Sequence, residues 1–200
     1  MLWQNFADIK KGQVPKNISE DRRKLYRDYK KKDGEMFMST IGILGGNATE
    51  TALLFLGMCQ KKGLKALVDV YSLAENKLMP IVSIDENGLQ TPQVWLLQDA
   101  TDYVFGQVND GYLVVNTDGE IVPVVSGVKG VITYGFNSKA SVTASSVADG
   151  ALQVCIQRGF RTLGGSEYEP QEFRADCPGT VDPVNVLGAV AAGVMCGVVF

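Results

Sequence analysis

No histidine occurs among the 200 residues, and the four cysteines, Cys59, Cys155, Cys177 and Cys196, stand as widely separated singles. Without an imidazole there is no general base for a Ser/His/Asp or Cys/His nucleophile system. Without histidine or clustered thiolates, neither the usual catalytic nor the usual structural zinc site is expected. No Cys-x-x-Cys occurs, and the cysteine spacings of 96, 22 and 19 residues suit buried or reduced thiols better than a disulfide framework. Strong net charge is also missing: the balance is −3, so the chain as a whole lacks the basic signature of nucleic-acid binding. No apolar h-region follows residues 1–6, and no secretory signal peptide is expected.

What is present is enough to build a core. Apolar residues make up 46% of the chain and charged residues 20%, a globular rather than a disordered composition. Charge is uneven: residues 1–100 hold 14 Lys+Arg and 12 Asp+Glu, a net of +2, whereas residues 101–200 hold 5 and 10, a net of −5. The positive excess lies mostly before residue 35. There, Ser19-Glu20-Asp21 can start a basic helix that ends at Gly34. Its basic residues Arg22, Arg23, Arg27, Lys30, Lys31 and Lys32 are candidate contacts, with Tyr26 and Tyr29 available to stack on bases. Asp21, Asp28 and Asp33 dilute that field, so a solvated charged face is the simpler expectation.

Gly42-Ile43-Leu44-Gly45-Gly46 precedes the clearest helix, with Asn47 as N-cap, Glu50 in capping-box position and Gly63 closing the C-terminus. The glycines resemble a phosphate loop but lack the Gly-Lys-Ser/Thr ending, so no nucleotide cofactor is expected. Leu64, Leu67, Val68 and Tyr71 predict a second helix over 64–76, which would complete a helical hairpin. Beyond Pro80 the period shortens to two. Asn109-Asp110-Gly111 and Thr117-Asp118-Gly119 between β-branched runs predict an antiparallel meander, with strands at 104–108, 112–116, 120–125, 128–136, 140–144 and 151–156. Glu167, Glu169, Glu172, Asp176 and Asp182 lie in a Pro/Gly-rich stretch that reads as an exposed acidic loop, not as a catalytic carboxylate pair. Asp182-Pro183 then opens an apolar run to Phe200, broken only by Asn185. The 15 residues 186–200 include Gly193-x-x-x-Gly197 but fall short of the roughly 20 needed to span a bilayer. Burial against a partner is the favoured expectation, and Val186, Leu187, Val190, Val194, Met195, Val198, Val199 and Phe200 are its candidate interface residues.

The run Tyr112-Leu113-Val114-Val115-Asn116-Thr117-Asp118-Gly119-Glu120-Ile121-Val122-Pro123, followed by residues 128–134 and 140–150, resembles the N-terminal β-domain of distal-tail (Dit-like) baseplate proteins of tailed bacteriophages. Val142, Thr143, Val147, Asp149 and Gly150 loosely match that family's Val-Thr-x-x-Pro-Val-Glu-x-Gly element, with Ser146 in place of its proline. The resemblance implies a ring-forming β-structure in a phage tail or baseplate, in a virion or the host cytoplasm.

The sequence therefore predicts an α+β fold in three segments. Residues 1–78 form a mainly helical part, 79–157 an antiparallel sheet or small barrel, and 158–200 an irregular loop with an apolar C-terminal segment. The expected function is structural and non-enzymatic, as a subunit of a larger symmetric assembly, with no cofactor or metal. Its expected partners are copies of itself and other protein subunits. The alternatives are a nucleic-acid-binding module built on 19–32 and membrane association through the C-terminus.

Overall fold

The computed structural model describes residues 39–64, 66–74, 77–82, 92–98, 111–119 and 127–200. The basic stretch carrying Arg22, Arg23, Arg27, Lys30, Lys31 and Lys32 lies outside them, as do the strands expected at 104–108 and 120–125.

Among the described residues the chain forms eleven strands and two helices. The strands are β1 (Ser39–Leu44), β2 (Ala66–Ala74), β3 (Lys77–Val82), β4 (Val94–Leu97), β5 (Tyr112–Asn116), β6 (Gly130–Tyr134), β7 (Val142–Ala148), β8 (Ala151–Ile156), β9 (Phe160–Arg161), β10 (Glu167–Tyr168) and β11 (Gln171–Asp176). The helices are α1 (Ala48–Lys61) and α2 (Pro183–Met195). Nine strands join one mixed sheet in the order β3-β2-β1-β4-β5-β6-β7-β8-β11, while β9 and β10 pair separately. Strands from both sides of residues 78 and 157 belong to this one sheet.

This architecture overturns the expected α+β fold with a helical N-terminal third and an antiparallel meander. The six inner strands from β2 to β7 run parallel, and only β3, β8 and β11 are antiparallel to their neighbours. The reason lies in burial. All six residues of β1, all four of β4 and the middle three of β5 are buried. Apolar runs covered on both faces are the mark of parallel strands. The Thr117-Asp118-Gly119 turn does not fold β5 back on a neighbour in the sheet, because both edges of β5 are already taken by β4 and β6.

The expected second helix is strand β2, lying parallel to β1 with Ile41 opposite Val68 and Ile43 opposite Val70. Leu67, Val68, Val70 and Tyr71 do show helical spacing, but Asp69 between them is buried as well. A continuous buried run needs two covered faces, whereas a surface helix needs one stripe. The β7–β8 hairpin closes at Asp149-Gly150, whose φ values of 50° and 70° fit a primed turn.

Helix α2 is the centre of the fold. Asp182 caps it by accepting a hydrogen bond from the Val184 N–H at 3.0 Å, and Pro183 fills the first turn. Every residue from Asn185 to Met195 is buried. A helix apolar all round is stable only when surrounded, and here β4 to β8 and α1 all pack on it. The Met195 carbonyl also accepts the Leu163 N–H at 2.8 Å from the β9–β10 connection. Gly188 lets the sheet approach, since a Cβ there would stand 3.0 Å from the Tyr134 ring.

Between β6 and β7 the ladder thins to one register pair, Tyr134 with Val142. Side chains supplement it: the Ser141 N–H donates to Thr133 Oγ1 at 2.9 Å, and the two hydroxyl oxygens lie 3.3 Å apart.

Two glycines in different surroundings check this packing. Gly188→Val should destabilise by about 1–3 kcal/mol through overpacking against Tyr134. Gly57→Ala, in α1 where a Cβ meets nothing within 4 Å, should be neutral or stabilise by about 0.5–1 kcal/mol. Urea titrations of both variants would read the difference, and equal effects would contradict the placement of α2.

Candidate functional site at the carboxyl ends of the parallel strands

The two faces of the sheet are built differently. On one, Tyr134 meets α2, and α1 packs alongside that helix. On the other, Leu44, Tyr71, Trp95, Leu97, Leu113 and Val115 form a buried apolar cluster, with Val128 packed against it. The β1–β2 connection thus carries its helix on the first face, while Val128, in the β5–β6 connection, packs on the second. The chain leaves β1 toward one edge of the sheet and β4 toward the other. In open α/β sheets this reversal opens a crevice beyond the strand ends, where ligands bind. Here it lies between the ends of β1 and β4, at Gly45-Gly46-Asn47 and Gln98.

Gln98 fills this crevice. Its backbone N–H continues the ladder to the Leu44 carbonyl at 2.9 Å. Its side-chain oxygen accepts the Asn47 N–H at 3.1 Å, and its amide nitrogen donates to Thr51 Oγ1 at 2.7 Å and to Asn185 Oδ1 at 3.0 Å. Asn185 in turn donates to Glu50 Oε2 at 2.7 Å. Gly45, at φ +148°, makes room, since a Cβ there would come within 2.4 Å of the Gln98 side chain. The expected capping box at Asn47 and Glu50 is not formed: Asn47 makes no side-chain cap hydrogen bond, and Glu50 instead accepts from Asn185.

The chemistry follows from this arrangement. A helix N-terminus after a glycine turn favours an anion, but a neutral amide oxygen already occupies the Asn47 N–H. The Glu50 carboxylate in the first turn adds repulsion toward phosphate. Thr51 is wholly buried, so its hydroxyl serves as an acceptor in the network and is not presented as a nucleophile. The arrangement ties two helices to the end of a strand.

A second polar cluster stands beyond β5 and β6. The Asp118 carboxylate accepts the backbone N–H groups of Phe136 and Asn137 at 2.9 and 3.0 Å. Asn137 Nδ2 reaches the Thr117 carbonyl and hydroxyl at 3.0 and 2.8 Å. These bonds splice two neighbouring strand ends and hold Phe136 outward, 41% exposed.

The structure redistributes the expected interface residues. Val186, Leu187, Val190, Val194, Met195 and Val198 are at most 1% exposed, within the chain's own core. Phe200 is half-buried, stacked on Phe173 at 4.8 Å with Lys62 5.9 Å from its ring, and Val199 alone of the group is exposed. The expected docking of this segment on another chain is therefore corrected: its apolar side chains meet the sheet and α1. The acidic stretch does not converge on a site. Glu167 and Glu172 are exposed on β10 and β11, and Asp176 pairs with Lys61 of α1 at 2.8 Å. The hydrogen bond and charge of Lys61 hold the Asp176 carboxyl below its usual range. Among the described residues no three His, Cys, Asp or Glu side chains are placed to hold a metal ion, and no helix is long and apolar enough to cross a membrane.

All four cysteines are free. Burial pushes the Cys59 thiol up to about 11 and the Cys196 thiol to about 12. Sequence reasoning did not single out Gln98, which carried little signal beyond being the polar residue after an apolar run. Asn185 did carry one, as the lone polar residue in an apolar segment.

No family model, curated protein or solved structure matches the chain.

Gln98→Ala should leave the Asn47 N–H, Thr51 and Asn185 short of partners and cost about 1–3 kcal/mol in chemical denaturation. A change within error would mean that water replaces the amide without loss. In native protein at neutral pH, dilute enough to be monomeric, an alkylating reagent should modify half-exposed Cys155 well before Cys59, because a buried, protonated thiol is inert. Peptide mapping of the labelled protein reads that order, and early labelling of Cys59 would contradict its burial on the inner face of α1.

Proposed function

We propose that the chain is a non-enzymatic structural subunit that assembles with copies of itself through the open half of its sheet. The observation that carries this reading is the contrast across one face. Over β1, β4 and β5 the face is buried, whereas β6, β8 and β11 carry exposed or half-buried side chains on it, with Thr143 of β7 and Ala151 of β8 buried among them. Register places Val131 in line with buried Leu113, yet Val131 is 46% exposed. Further out on the same face Thr133, Gln153 and Cys155 are half-buried, and Glu172 and Arg174 of β11 are exposed. An apolar side chain followed by a carboxylate and a guanidinium two residues apart suits a two-fold contact, in which each charge meets its opposite on the other copy. The closed state of the strand-end crevice, where Gln98, Thr51, Asn185 and Glu50 bond to one another, supports a surface role over small-molecule chemistry.

Within residues 112–150, which resemble distal-tail proteins, β5 lies between two parallel neighbours and the hairpin is formed by β7 and β8. The apolar C-terminus no longer motivates membrane association, since α2 is enclosed by its own fold.

Light scattering after size exclusion, across a concentration series, tests the reading. The expected mass is a multiple of the 21.6 kDa chain. Val131→Glu and Arg174→Glu should each shift the population toward monomer, while at dilutions where the wild type is itself monomeric the unfolding midpoint should stay nearly unchanged, as for surface substitutions. A wild-type monomer at every concentration would overturn the proposal.

A further inference from the structure

We draw no further inference here: the strongest candidate, the crevice between the carboxyl ends of β1 and β4 at the N-terminus of α1, has its Asn47 N–H, Thr51 hydroxyl and Asn185 amide already bonded through Gln98 and Glu50, so a helix N-terminus is all that remains and nothing on it points to a ligand.

Discussion

The fold depends on hiding one helix. From Asn185 to Met195, α2 offers water no face. Its burial contributes several side chains at roughly 1.5–3 kcal/mol each, an upper bound because the unfolded chain already hides part of that surface. A single flat sheet covers only one side of such a helix. The remaining sides are closed by α1, by the β9–β10 connection through Leu163, and by the chain end that returns at Val198. The position of α1 beside α2, the need for glycine at 188 and the stacking of Phe200 on Phe173 all follow from that enclosure.

Enclosure also explains the polar residues at the start of α2. Asn185 sits where the helix enters the core and must be satisfied there. It gives an amide hydrogen to Glu50 and takes one from Gln98. A buried amide with good partners specifies one alignment of two helices and a strand, whereas apolar side chains tolerate sliding. The crevice that α/β sheets commonly give to a ligand is used here to fix that alignment.

Much of this was legible in the residues, though the pairing was not. The Gly63 stop of α1 and the Asp182-Pro183 start of α2 follow from capping chemistry, which is local, whereas α1 begins without the side-chain cap expected at Asn47. The strands at 112–116 and 151–156 stand where β-branched runs placed them. Direction is a non-local property. Whether Tyr112–Asn116 is covered on one face or both depends on residues far along the chain, and the turn signals at 117–119 spoke for a hairpin. Residues 64–76 show the same limit: Leu67, Val68 and Tyr71 satisfy a helical spacing, while parallel pairing with β1 decides the outcome. The apolar end was recognised as buried, but sequence does not say in whose interior.

The thin ladder between β6 and β7 has a mechanical consequence. On one side of it lie six strands from β3 to β6; on the other lie β7, β8 and β11. The two plates share one backbone rung, the Thr133–Ser141 stitch, and α2 laid across them like a dowel. Tension applied across the strands would open the sheet at this seam before any other. Each plate has its own ladder, and what ties the two together across the seam is one backbone rung, one threonine hydroxyl and one helix.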